Sequence, residues 1–503
     1  MIMKKYILTI LSAFALSSCN SLLDLEPESS LTYNNFWGSE ETMRANHIGI
    51  YSKFRDYNYN LFLLGEVRSD IYFNGLTLET QSFANIINQD VTPDKISFDS
   101  WGGFFGLIHY LNDFIENAPK VNVKNPRERE IMIAQVYGIR AFVYFTMMKT
   151  WGDVPVTTET LKDPTNIAVL NKKRSPKAEV FKQVKEDIEK SLELFGNDNS
   201  LWTGSNAFWS KAATLTLKGE AYLWAGEVLN TGNADFATAK EALSQITQFS
   251  LVPRYADLWG SQNENNAEFI FTFDYKVGER NNFYNDIITG QNRDLQLLYN
   301  AEGENMLSFN SNGQNRIGPA QNIIEKMYYN SGDSRPASTF IYLFSEKNNY
   351  PTFVADKYRG AIMNKFAGEL LDGSRQGVQN IPLYRYADVV LMLAEAKNKL
   401  GEDPSAEINL IRKRAYGTNF NSSLEYTNQG KDANTEAILE ERLKEFIGEG
   451  KRWWDLVRAG EQYVIEHIPN IDASTTYKIY YPISRTMINN DPNNLTQTEG
   501  YKD

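Results

Sequence analysis

Cysteine is all but missing. One occurs in 503 residues, at position 19, which excludes a disulfide within the chain and a cysteine-built zinc site. Histidine is almost as scarce. His47, His109 and His467 are the three present, and no two stand four apart, so a helical zinc-binding histidine pair is excluded. Positive charge is in deficit, with 51 Lys and Arg against 63 Asp and Glu and a net of −12. That balance argues against a nucleic-acid partner, whose phosphates require a basic face. It argues equally against electrostatic docking on anionic lipid. Beyond the first residues no stretch holds eighteen uninterrupted apolar residues, which predicts a soluble body.

Catalytic signatures are also missing. There is no G-x-S-x-G elbow and no G-x-x-x-x-G-K-[ST] phosphate loop. Gly448-Glu449-Gly450-Lys451 lacks the spacing, and Asn489 to Asn493 lacks the bidentate Glu of a calcium-binding helix-loop-helix. The expectation is no catalytic residue, no metal and no cofactor, with a structural calcium left open. Two of the 63 acidic residues could still face each other as a glycosidase pair, which sequence alone does not reveal.

The amino terminus is informative. Lys4 and Lys5 precede an apolar run from Tyr6 to Leu16. Its length, about eleven residues, suits a signal-peptide core and is too short to span a bilayer. Leu16-Ser17-Ser18-Cys19 resembles a bacterial lipobox, which implies cleavage before Cys19 and a diacylglyceryl group on its sulfur. Acyl chains anchor firmly, at about 0.8 kcal/mol per buried methylene. Residues 1–18 thus read as a lipoprotein signal peptide and 19–37 as a lipidated acidic tether to the membrane.

The body, 38–503, reads as mostly α. Residues 128–150 place Ile133, Val136, Tyr137, Tyr144 and Met148 close to a helical period. Residues 208–229 align Ala213, Leu217, Ala221, Trp224 and Val228. Further helices are predicted over 177–195, 234–248, 384–400, 404–416 and 434–447, with Gly401 ending one. Ala212, Ala213, Gly219, Ala221, Ala394 and Ala396 supply the small residues that close helix pairs need. Segments 60–105 and 250–380 carry little helical pattern and are rich in Asn, Gly, Tyr and Phe; loops of such length are commonly functional. Residues 268–275 alternate well enough for a short strand.

Several motifs occur in order: FWGSEETMRANHIGIY (36–51), IRAFVYFTMMKTWGDVPV (139–156), SKAATLTLKGEAYLWAGE (210–227), RYADVVLMLAEAKN (385–398), INLIRKRAYG (408–417), ILEERLKEFIGEGKRWWDLVRAG (438–460) and a closing YYPISRTMINNDPNNLTQTEGY (480–501). Together they resemble the SusD/RagB family of surface nutrient-binding lipoproteins of Bacteroidota. One departure is Thr498-Glu499-Gly500-Tyr501, where the family usually has Asn-Pro-Gly-Tyr. The resemblance implies a single SusD-like domain: a right-handed superhelical scaffold of degenerate tetratricopeptide-like helix pairs, about 38–60, 105–250 and 384–460. An irregular, loop-rich binding region (60–105 and 250–380) is laid over it. It also implies a lipid-anchored, cell-surface position on the outer membrane, a glycan ligand, and a SusC-like TonB-dependent transporter as partner. Arg385, Asp388, Glu395, Arg442, Glu449, Arg452, Trp453, Trp454 and Asp455, inside these motifs, read as ion-pair, packing and capping residues.

Ligand contacts are expected in the loops, because sugars stack their C–H faces on aromatic rings and pair their hydroxyls with polar groups. By composition, the candidates are Arg68, Asp70, Tyr72, Phe73 and Asn74; Trp101 and Phe104, with Phe105; Asn281, Asn282, Phe283 and Tyr284; and Tyr299 and Arg316. Three alternatives stay open at this stage: an oligopeptide-binding lipoprotein of the RagB kind, a helical-repeat scaffold, and a glycoside hydrolase.

Overall fold

The computed structural model describes residues 37–76, 83–96, 101–161, 171–328 and 332–502. Cys19, the signal peptide and all but the last tether residue lie outside them.

The main helices begin and end where the chain supplies caps. Helix α1 (Glu40–Arg55) opens on Ser39, whose hydroxyl accepts from the Thr42 N–H. Glu40 and Glu41 fill its first turn and Lys53 and Arg55 its last, each complementing the helix dipole. Helix α2 spans Gly102–Asn117. Helix α3 (Pro126–Trp151) is capped by Asn125, starts on a proline and stops at Gly152, which has a positive φ of 73°. Helices α4 (Lys177–Phe195), α5 (Lys211–Val228) and α6 (Asn233–Ser244) follow. Helices α7 (Tyr386–Lys399), α8 (Ser405–Tyr416), α9 (Lys431–Phe446) and α10 (Arg452–Ala459) complete the scaffold.

Consecutive helices pack as pairs, α1 on α2, α3 on α4, α5 on α6 and α7 on α8. That pairing fits the helix-pair scaffold expected from the motifs. The small residues sit where needed. A Cβ on Gly219 would lie 2.5 Å from Leu243 of α6, and one on Gly226 would lie 2.2 Å from Phe236. Helix α3 is long and apolar enough to cross a membrane, yet 94% of its most apolar window is buried inside the protein. It is a core helix covered on all sides rather than along the single stripe expected.

Buried ion pairs tie the scaffold together. Arg140 of α3 forks onto Asp187 of α4 at 2.6 and 2.8 Å. Arg385 is fully buried and reaches Glu268, Glu445 and Glu449 at 2.6–2.8 Å. Arg458 pairs with Glu395 and Asp455. The motif residues therefore do structural work, as expected, and Glu449 is consumed by Arg385 and Lys365.

The loop-rich segments hold small antiparallel ribbons. The strands are β1 (Tyr72–Asn74), β2 (Phe269–Phe273), β3 (Ile317–Pro319), β4 (Phe340–Phe344), β5 (Tyr358–Met363), β6 (Glu369–Leu371), β7 (Ser374–Gln376) and β8 (Ile381–Arg385). They pair β1 with β3, β2 with β8, β4 with β5 and β6 with β7. Strand β2 is the one expected near 268–275, but all five of its residues are buried, so neither face meets water. Strand β8 occupies the start of a segment expected to be helical from residue 384.

Candidate functional site

A cleft of about 660 Å³ opens within the loop region. Its aromatic wall is Phe283, at the entry of a short helix, Tyr284–Ile288. Phe283 is half-buried, stacked on Tyr284 at 4.2 Å and tilted against Phe62 at 5.2 Å. Tyr59 meets it edge-on at 5.3 Å. The ring is thus braced from behind and keeps an open side, which suits a rigid stacking platform. Tyr59 comes from a short helix, Asn58–Phe62, that continues into a π-helical turn, Leu63–Val67.

Polar groups surround this platform. Asn281, Asn285 and Gln314 line the cleft with Arg316, Arg280 and Arg375. Arg316 is set just before β3, and its Nε donates to Gln314 Oε1 at 2.7 Å. Burial raises the Asp286 carboxyl above the usual range, while nearby Arg316 opposes that shift. Burial likewise raises the Tyr59 phenol. Arg280 pairs with Asp56 at 2.5 Å across the mouth.

Of the residues expected at a site, Asn281, Asn282, Phe283 and Arg316 line this cleft. Asn282 is itself buried and spends its amide on Gln379 O and the Tyr284 N–H. Tyr284 backs Phe283 from the interior, its hydroxyl donating to Gly448 O. The first cluster points elsewhere. Arg68 is buried between the rings of Trp453 and Tyr481, 3.7 and 4.9 Å away, and donates to Lys478 O. Burial pushes its guanidinium down to about 10. Asp70 is buried and takes a bidentate contact from Arg452 at 2.9 Å. Tyr72 is buried and donates to Glu66 Oε1 at 2.7 Å. Phe73 is 54% exposed on β1, outside the cleft lining. Asn74 pairs through its backbone with Ile317.

Trp101 and Phe104 are also interior. Both meet the Trp151 ring edge-on, and Phe104 stacks on Tyr57 at 4.9 Å. Trp101 and Phe105 line a separate groove of about 360 Å³. Tyr299 exchanges backbone hydrogen bonds with Phe344 and does not line the cleft. Sequence reasoning missed Tyr59, Arg280 and Arg375. Arg375 sits in Asp372-Gly373-Ser374-Arg375, a tight-turn signal that places it on a hairpin but says nothing of what the hairpin faces. Among the described residues, Glu436, Glu466 and His467 bring metal-type donor atoms within 4.8 Å of one another, away from the cleft.

Fold and cleft together define a helical scaffold protein with a loop-built cleft. The chain belongs to the SusD/RagB family. Residues 339–501 match the profile described as the SusD family, and residues 21–226 match one described as starch-binding, associating with the outer membrane. The structure of NanU from B. fragilis is 32% identical, covers 95% of this chain and 100% of its own, and superposes with a TM-score of 0.85. A SusD-like protein of Formosa agariphila is 27% identical over 96% of each chain. The starch-binding protein SusD of Bacteroides thetaiotaomicron is 33% identical over 130 residues, 24% of this chain and 22% of that one.

Proposed function

We propose that this protein is a lipoprotein, anchored through Cys19 at the outer face of the outer membrane, that captures oligosaccharides in the Phe283 cleft. It delivers them to a SusC-like TonB-dependent transporter, over which the body works as a hinged lid. The observation that carries this reading is the braced, half-exposed Phe283 ring with Tyr59 at its edge and amides and arginines around it. A pyranose has matching parts, an apolar C–H face for the ring and hydroxyls for the amides. The family profile described as starch-binding and the relative named starch-binding protein SusD support the ligand class. The site is read as binding rather than catalytic, in keeping with the family profile and the relative that are both described as starch-binding.

The test is calorimetry of the purified full-length chain against a broad oligosaccharide panel. At least one oligosaccharide binds, and Phe283→Ala weakens it about five- to tenfold, the scale of a lost stacking contact of roughly 1–1.5 kcal/mol. Absence of binding to every oligosaccharide overturns the reading. Co-purification of a large TonB-dependent barrel from detergent-solubilised membranes checks the partner. Protease treatment of intact cells checks the location, since a protected protein is not a surface receptor.

A further inference from the structure

The cleft holds more arginine than the capture of a neutral sugar requires. Its described lining includes Arg55, Arg280, Arg316 and Arg375 against Asp56 and Asp286, a net of +2 on a chain of net −12. Glu279, which pairs with Arg55 at 2.7 Å, lowers that local sum to +1. A cationic hollow in an acidic protein is a local arrangement and not a by-product of composition.

Arg375 is the most telling of the four. Its Nε donates to Phe309 O at 2.8 Å, and its Nη1 donates to Gly368 O at 2.9 Å and Ala367 O at 3.4 Å. The Phe309 ring lies 3.8 Å from its Cζ. Every one of these partners is neutral. They fix the guanidinium in one orientation without cancelling its charge, and no carboxylate among the described residues forms an ion pair with it. Its Nη2 donates to no acceptor in the described protein. Arg55 also carries one N–H without a partner, in this case a buried one. Its side chain is 9% exposed, its two Nη atoms are taken by Asp274 O and Glu279, and its buried Nε has no hydrogen-bond partner. Immobilised guanidinium with unused N–H groups beside an aromatic platform is the donor set for a planar or tetrahedral oxyanion carried by a ring.

We infer that the cleft selects negatively charged glycans, those bearing sugar carboxylates or sulfate esters, with Arg375 as the group that pairs with the anion. This rests on the glycan-binding reading and narrows it. Stacking on Phe283 holds the ring of one sugar unit, and the fixed guanidinium reads whether that unit or its neighbour is charged. The acidic remainder of the chain repels anions at long range, so the preference arises inside the cleft, where water is partly excluded and a charge-assisted hydrogen bond is strong.

The deciding experiment is calorimetry of the full-length chain with matched ligand pairs. Oligouronates are measured beside their carboxyl-reduced forms, and sulfated oligosaccharides beside their desulfated forms. At least one charged member binds tenfold or more tighter than its neutral twin. Arg375→Gln removes that preference, with a loss of tenfold or more for the charged ligand and threefold or less for the neutral one. Arg375→Lys, which keeps the charge, restores part of it. Should Arg375→Gln melt earlier because the hairpin loosens, the wild-type comparison still decides. Equal affinity for both members of every pair overturns the inference and leaves the glycan reading standing. No binding to any member overturns both.

Discussion

At the scale of the residue, composition found the right mixture in three places, and one of them became the cleft. GEVRSDIYFNG and NNFYN are alike as strings. What separates them is the partner each side chain meets far along the chain. Asp70 meets Arg452, 382 positions later, and Arg68 meets Lys478, 410 positions later. No local pattern contains that information. Tyr72 and Phe73 show the rest of the ambiguity, because adjacent strand residues face opposite ways; one is buried on Glu66 and the other is exposed. The two clusters therefore respond differently to substitution. Tyr72→Phe leaves glycan affinity unchanged and lowers unfolding free energy by about 1 kcal/mol, the worth of one buried hydrogen bond. Asp70→Ala strands the Arg452 guanidinium and costs about 3–5 kcal/mol, read by chemical denaturation. Phe283→Ala does the reverse, losing ligand while keeping most of the stability.

At the scale of the element, the helices were legible because their own residues determine them. Caps at Ser39, Asn125 and Ser210 and stops at Gly152 and Gly196 are local chemistry. The ribbons were hidden for the opposite reason. Strand β8 takes the five residues before α7 because β2, more than a hundred residues earlier, lies beside it. Helix α3 shows only a stripe in its sequence, because apolar periodicity is visible there and total enclosure is not. The α5–α6 contact gives a direct check. Gly226→Val places a branched side chain against Phe236 and destabilises the protein by about 1–3 kcal/mol or more, with a matching fall in Tm. The exposed Gly49 of α1, whose Cβ would meet nothing within 4 Å and whose φ is not positive, serves as a control for crowding.

At the scale of the molecule, the core is stapled by charge, and that sets its response to acid. Burial alone would raise the Glu220 carboxyl, but Lys149, Arg458 and Lys451 outweigh it and hold the group at about 2, below its ordinary 4.5. A carboxyl depressed on folding contributes stability that is present above its unfolded value and lost as pH falls through the folded one. The window is therefore about pH 4.5 down to 2, and the share of this one group is on the order of 3 kcal/mol. Unfolding free energy measured across that range falls steeply in the wild type and less so in Glu220→Gln, which starts from a lower value at neutral pH. The grip of Gly448 and Gly450 on Glu66, of Arg452 on Asp70, and of Trp453 and Tyr481 on Arg68 has a further consequence, one of timing. These clasps join the first tenth of the body to its last eighth, so the side chains of Glu66, Arg68 and Asp70 lack these partners until the far end of the chain has been made. A nascent chain halted at residue 440 holds its early helices and an open seam. Closure of that seam belongs to the finished polypeptide.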